Sequence, residues 1–368
     1  MTIPPRALIN LNALQHNLRR VHELAPGRRI MAIIKADAYG HGMVRIARAL
    51  SDVDAFGVAR FNEAVTLRTA GLTQPIVLLE GFLDAAELPL ICQHRLSIVV
   101  HHGAQLDMLE RTPLAEPIGA WLKIDSGMHR LGFAPAEVED AWRRLALCPW
   151  ISKPVRLMTH LACADDRADR RTLEQLACFN AAVNGLAAEH SIANSAAILG
   201  WPQTHGEWVR PGLMLYGVSP FPGRIAQQEG LKPVMTLSTR LIAVHNLDKG
   251  ASVGYGASWT CPQAMRVGIA AIGYGDGYPR HARPGTPVLL NGTRVPLIGR
   301  VSMDMICVDL SSQPAARIGD PVILWGEGLP VEEVAHYAST IPYELLCAVA
   351  RRVQAVVTPG PTGKSALQ

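Results

Sequence analysis

The chain has 368 residues, 49% hydrophobic and 18% charged, with a net charge of +4. That length is more than one core usually fills and the balance is that of a well-cored protein, so two domains are expected and disorder is excluded. The basic residues are dispersed rather than blocked, which argues against nucleic acid as a partner. No apolar run is long enough to span a membrane or to form a signal-peptide core, so a cytoplasmic protein without a membrane partner is expected.

In chain order, apolar runs occupy residues 31–35 (MAIIK), 54–59 (DAFGVA), 75–79 (PIVLL), 96–101 (LSIVVH), 118–125 (IGAWLKID), 155–161 (VRLMTHL), 191–195 (SIANS) and 208–217 (WVRPGLMLYG). Between them lie helical patterns, as over 12–24, where Leu14, Leu18 and Val21 share one face, and over 169–189. Strands alternating with helices make a parallel sheet, and this number of units fits a closed barrel better than an open sheet. Beyond 235 the runs 235–244, 265–272, 287–290, 295–298, 305–310 and 321–325 follow closely, joined by turns such as Asn291-Gly292. A helical stretch is expected over 331–356 and a frayed tail over 358–368. The fold class is therefore α/β: an N-terminal (β/α)8 TIM-like barrel over 1–235, then a mainly antiparallel β-domain over 236–368, which the first few residues can join. The seven cysteines are scattered and lack a C-x-x-C pair, so reduced thiols are expected rather than disulfides or zinc.

In a barrel, chemistry gathers where the strands end at their C-termini. Those ends carry Lys35, Asp125 running on to Arg130, His160, Asn194 with Ser195, and Arg210 followed by Gly212. A lysine closing a buried strand has its ammonium form disfavoured by desolvation, which suits an amine nucleophile. The ordinary alternative is a strand-end lysine reaching to water. Gly40 and Gly42 mark a tight turn just beyond it.

Residues 35–42 (KADAYGHG) resemble the cofactor-lysine motif of the bacterial alanine racemases. The likeness continues in collinear order through 121–132 (WLKIDSGMHRLG), 208–217, 253–256 (VGYG), 272–280 (IGYGDGYPR), 299–309 (GRVSMDMICVD) and 321–330 (PVILWGEGLP), covering residues 5–355. The resemblance implies a fold-type III pyridoxal 5'-phosphate enzyme, no metal, and a head-to-tail homodimer with shared active sites. Its reaction would be alanine racemisation, either supplying D-alanine for peptidoglycan or breaking D-alanine down.

By the same resemblance, Lys35 carries the cofactor as a Schiff base and serves as the base for the D-isomer. Tyr255 serves the L-isomer and, like Met303, is delivered to the partner's site. Cofactor contacts fall to Tyr39, His160, Asn194, Ser195, Arg210, Gly212, Leu213 and Tyr343. Arg130, Met303 and Asp304 would bind the substrate, Arg130 through a bidentate grip on the carboxylate. Lys123 occupies a position that some relatives carbamylate; an unmodified lysine paired with Asp125 is the alternative.

The residue types suit the task. Racemisation removes a proton from one face and returns one on the other, so two opposed acid–base groups are required. Free Lys and Tyr both titrate at about 10, so both must be lowered to work near neutral pH. A guanidinium at Arg210 does not yield its proton, so the cofactor's ring nitrogen stays unprotonated. Asp37 departs from the pattern, since many relatives have Asn there. Gly363-Lys364-Ser365 in the tail and the G-x-G at 273–275 lack the context of nucleotide-binding loops. The rival expectations are a broader racemase or decarboxylase of this fold, and a non-catalytic cofactor-binding barrel. Tyr255 and Tyr343 favour a small side chain, and the second domain argues against a lone barrel.

Overall fold

The computed structural model describes residues 5–358; the tail from 359, with its Gly363-Lys364-Ser365, lies outside the described residues. Among the described residues the chain forms two compact units. One comprises residues 18–215 and 220–222; the other comprises 5–17, 216–219 and 223–358. Residues 216–219 and 223–235, which the texture of the sequence places with the barrel, cluster with the second unit.

Strand β1 (Arg6–Asn10) belongs to that second unit. The first unit is a closed barrel of eight parallel strands in sequence order: β2 (Arg29–Ile33), β3 (Ala55–Val58), β4 (Ile76–Leu78), β5 (Leu96–Val100), β6 (Ala120–Lys123), β7 (Arg156–Met158), β8 (His190–Ser191) and β9 (Trp208–Val209). Pairing of β2 with β9, Arg29 opposite Trp208, closes the ring. Helices cover the outside, so the strands are buried on both faces; β3 to β6 show almost no exposed position. That is why they read as continuous apolar runs. At the N-terminal end of the barrel, Glu189 takes hydrogen bonds from Arg29, from Arg156 at 2.8 Å and from Trp208 Nε1 at 3.0 Å. The Arg156 guanidinium lies 5.6 Å from the rings of both Trp121 and Trp208.

The second unit is antiparallel in the main. Its strands are β10 (Met235–Leu247), β11 (Ser252–Val253), β12 (Trp259–Thr260), β13 (Met265–Ala270), β14 (Pro287–Leu290), β15 (Thr293–Ile298), β16 (Ile306–Asp309), β17 (Pro321–Trp325) and β18 (Gln354–Thr358). The long β10 pairs with both β17 and β13, closing a six-stranded ring in the order β13-β16-β15-β14-β17-β10. β1 adds antiparallel to β10, and β18 adds parallel to β1. Burial alternates along the first half of β10, as expected for a strand with one face on a core. Tyr278 stacks on Trp325 with centroids 6.2 Å apart inside this unit.

Several expected elements are shorter than the sequence pattern, among them 208–217, which is a strand only over Trp208–Val209. The run 191–195 is a strand only through Ser191, because Asn194 caps a helix over Ser195–Gly200 by accepting from Ala197 N at 3.0 Å. The stretch 331–356 is not one helix but Val331–Tyr337, Pro342–Ala348 and then β18. Pro342 keeps Ile341 out of the helical region, so the first helix cannot run through it. Among the described residues none of the cysteines is in a disulfide, no His, Cys, Asp and Glu group is placed to hold a metal ion, and no helix is long and apolar enough to cross a membrane.

Candidate active site

Lys35 stands where β2 leaves the barrel. Ile34 N still bonds Gly57 O at 3.0 Å, and the chain then enters a turn in which Ala36, Asp37, Ala38 and Tyr39 all have φ between 51° and 55°. Four successive non-glycine residues in the left-handed region cost about 1–2 kcal/mol each, so the turn depends on the hydrogen bonds that hold it. Ala36 N donates to Glu63 Oε1 at 2.7 Å. Gly40 N and Gly42 N donate to Ala36 O and Asp37 O, and Met43 N to Asp37 Oδ1 at 2.7 Å. His41 Nδ1 donates to the carbonyls of Ala38 and Tyr39 at 3.0 and 2.8 Å. Burial, with a lesser push from Arg45, holds that imidazole neutral by lowering its pKa to about 4.

Two cations, Lys123 and Arg210, lie buried in the barrel. Arg210 is buried and bonded wholly to neutral acceptors: Ser191 Oγ at 2.7 Å, Thr159 O at 2.6 Å, Ile192 O at 3.2 Å and His160 Nδ1 at 3.4 Å. No carboxylate among the described residues pairs with it, and desolvation lowers its pKa to about 10. Since the guanidinium only donates, His160 Nδ1 must be the acceptor and unprotonated. Its pKa is pushed well below the ordinary histidine value by burial, then by Arg210, Lys123, Arg130 and Lys35. Lys123 is 8% exposed. Burial, followed by Arg210, Arg130 and Lys35, brings its pKa down to about 8. Lys35, Lys123, Arg130 and Arg210 thus share one field, which is an anion-seeking arrangement. Among the described residues Asp125 forms no ion pair with Lys123. Its Oδ1 accepts the backbone N–H groups of Gly127, Met128 and His129 at 3.0 to 3.1 Å, shaping the loop that carries Arg130.

A small cradle lies beside the lysine turn. Ser195 Oγ accepts from Gly212 N at 2.9 Å and Met214 N at 3.3 Å. A Cβ on Gly212 would stand 2.8 Å from Tyr39 Oη, so any side chain there would push the phenol from its place. Leu213 is buried at the start of a short 3-10 turn over Leu213–Tyr216. Every barrel residue expected at the site therefore belongs to the strand ends that bear Lys35, Lys123, Arg130, His160, Asn194, Ser195 and Arg210.

The remaining candidates sit in the β-rich unit. Tyr255 is 67% exposed, in a turn between Gly254 and Gly256, both at positive φ. Met303 is 53% exposed and Tyr343 37%. Met303 O accepts Gly275 N at 2.8 Å, and Asp304 takes a 2.6 Å bond from Arg352, whose Nε also bonds the buried Asp276 at 2.8 Å.

Sequence reasoning missed the residues that hold the candidates: Glu63, Thr159, Ser191 and Gln175. Glu63 carries a usable signal, because a Glu at the third position of the helix Phe61–Thr69 is placed to accept the N-cap amide. Thr159 and Ser191 are polar residues within apolar runs and Gln175 lies in the helix Arg171–Ala182, and nothing local marks them.

Comparison with known proteins identifies the family. The family described as "Alanine racemase, N-terminal domain" matches residues 9–220, and "Alanine racemase, C-terminal domain" matches 234–357. An alanine racemase of Nitrosococcus oceani is 58% identical over 352 residues, covering 95% of this chain and 98% of that one. One of Shewanella amazonensis is 50% identical over 355 residues, covering 95% and 98%. Among solved structures, the biosynthetic alanine racemase of Pseudomonas aeruginosa superposes with a TM-score of 0.94 at 44% identity, over 98% of this chain and 100% of that one. The barrel with its cationic strand ends, the six-stranded β ring and the full-length matches lead to one conclusion: the chain belongs to the alanine racemase family.

Proposed function

We propose that this chain interconverts L- and D-alanine, with pyridoxal 5'-phosphate carried on Lys35 and a second copy of the chain completing each site. The observation that carries this reading is the strand-end Lys35 in a field of three further cations, Lys123, Arg130 and Arg210, that form no ion pair among the described residues. An anionic, phosphate-bearing cofactor fits that field, and beside Ser195 lies a cradle between Gly212 and Tyr39 that a Cβ would fill. When bound, pyridoxal phosphate would supply an electron-withdrawing system that acidifies the proton on the substrate's α-carbon.

The chain's own residues do the rest. Tyr39, Asn194, Ser195, Gly212, Leu213 and Tyr343 would hold the phosphate end. Arg210, kept protonated and braced by His160, would meet the ring nitrogen and deny it a proton. Lys35 Nζ would move the proton on one face and the Tyr255 phenol on the other. Arg130, with Met303 and Asp304, would bind the substrate carboxylate. Lys123, whose ammonium form is disfavoured, is suited to react with carbon dioxide, which would return negative charge to the cationic set. The apolar groups Tyr255, Tyr274, Met303, Met305 and Ile341 of the β-rich unit are each more than 40% exposed. That supports a homodimer in which Tyr255 and Met303 serve the partner's site. A cytoplasmic location and a role in supplying D-alanine for peptidoglycan, or in breaking it down, rest on the family alone.

The test is a racemase assay across alanine, serine, lysine and arginine with wild type, Lys35→Ala and Tyr255→Ala. Wild type should prefer alanine, and Lys35→Ala should lose both activity and the absorbance of bound cofactor. Tyr255→Ala should slow solvent-deuterium entry from L-alanine more than from D-alanine. Racemisation by Lys35→Ala at the wild-type rate, without added amine, would sink the assignment. Turnover of basic amino acids at the rate of alanine would favour the broader racemase.

A further inference from the structure

Four polar side chains tie the loops at the C-terminal ends of the barrel strands together, two strands at a time. Glu63 joins the ends of β2 and β3: Oε1 accepts Ala36 N at 2.7 Å, and Oε2 accepts Ala59 N at 2.8 Å and Arg60 N at 3.1 Å. Gln105 joins β4 and β5, donating to Phe82 O at 2.9 Å and accepting from His101 N at 2.8 Å. Gln175 accepts Ala162 N at 2.8 Å and donates to His160 O at 3.1 Å beyond β7, and stands 3.5 Å from Ser126 Oγ beyond β6. Ser195, beyond β8, holds Gly212 and Met214 beyond β9.

The Glu63 tie differs from the others in what it holds. Ala36 is the residue after Lys35, and its N–H lies beyond the β2 ladder and is taken by the Glu63 carboxylate. It also opens the strained left-handed turn, so the orientation of that one peptide sets the direction in which Lys35 leaves the strand. We propose that Glu63 is a positioning residue for Lys35: its carboxylate fixes the Ala36 peptide and thereby aims the lysine amine. Both oxygens are used, by donors from two different loops. An amide at this position accepts on one oxygen only and turns its own NH2 toward an N–H, so Glu63→Gln must release one loop. This role rests on the assignment of Lys35 as the cofactor lysine.

The experiment compares wild type, Glu63→Gln, Gln105→Met and Lys35→Ala as full-length, cofactor-loaded protein. Gln105→Met is the control, since it cuts a tie of the same kind that touches neither Lys35 nor its turn. Four quantities are measured: melting temperature, deuterium uptake at the Ala36 amide, cofactor retained on dialysis, and kcat and KM for each alanine isomer. For Glu63→Gln the expected result is faster exchange at Ala36, easier cofactor loss, and a kcat at least about tenfold lower with KM changed less than about twofold, as a displaced reacting group would give. Gln105→Met should lower the melting temperature while leaving kcat within about twofold. Glu63 is only a structural cap if its kcat loss is no greater than that of Gln105→Met, or if Ala36 exchange is unchanged. Should Glu63→Gln fail to fold, Glu63→Asp, which keeps the charge and shortens the reach by one methylene, is held to the same two criteria. If Lys35→Ala still racemises alanine, the Lys35 assignment falls and takes the Glu63 role with it. If Lys35→Ala is inert while Glu63→Gln behaves as the control, only the Glu63 role falls.

Discussion

The Arg210 guanidinium donates to Nδ1 of His160 at 3.4 Å, so a permanent cation holds the imidazole in its neutral form. The histidine in turn leaves the arginine's charge uncancelled, as a carboxylate in its place would not. The pair maintains a positive, non-acidic surface inside the barrel.

Arg210→Lys should break that surface. A lysine offers one donor centre where the fork reaches four acceptors, so Thr159 O, Ile192 O and Ser191 Oγ cannot all be served. The expected destabilisation is about 1–3 kcal/mol, read by urea unfolding, with racemisation falling at least about tenfold. Unchanged stability would mean that the acceptors find other donors.

His160 should not titrate near its ordinary value. Its folded pKa is lowered by burial and then by Arg210, so on acidification the unfolded chain takes up this proton first. Stability from this group is therefore present above about pH 6.5 and is lost as pH falls below it. Nitrogen-15 spectra of the imidazole in the folded protein should show no midpoint at pH 6–7. A normal midpoint there would contradict the geometry.

Lys123 gives the opposite experiment. Its folded pKa of about 8 lies below the unfolded value of 10.5, so the folded chain carries a destabilising ammonium in full below pH 8. The penalty is relieved as pH rises from 8 toward 10.5. In cofactor-free protein, Lys123→Met should raise stability at pH 7 by on the order of 1–3 kcal/mol, with the gain shrinking by pH 10. A gain independent of pH would point to packing instead.

Gly212→Ala should weaken cofactor binding, because the new methyl meets Tyr39 Oη at 2.8 Å. Removing that oxygen with Tyr39→Phe should recover part of the loss in the double variant. Strictly additive effects on the cofactor dissociation constant would show that the two positions do not compete for space.

Asp37→Asn should be nearly neutral and Asp37→Ala should cost about 1 kcal/mol. The side chain acts through Oδ1, which accepts from Met43 N at 2.7 Å, and an amide oxygen does the same. Thermal unfolding of the two variants distinguishes this from a role for the charge.

The barrel and the places where its strands end follow from local chemistry. Alternating apolar runs and helical patterns are short-range consequences of strands buried on both faces, so the barrel was legible, as was the change to half-buried strands near β10. The strand-end positions of Lys35, His160 and Arg210 came with it, because in a parallel barrel the C-terminal end of every strand lies on the same side. Tertiary structure decided the rest. That β1 pairs with β18, whose residues are more than 340 positions away, depends on a contact that no local pattern encodes. Gly40 and Gly42 announced a turn after Lys35, but not that the non-glycine residues 36–39 are left-handed, a conformation held where Glu63, Asp37 and His41 converge on its polar groups. Likewise Lys123 is an unremarkable strand lysine until folding buries it among Arg210, Arg130 and Lys35. Charge proximity of that kind is a property of the closed ring, not of any segment of the chain.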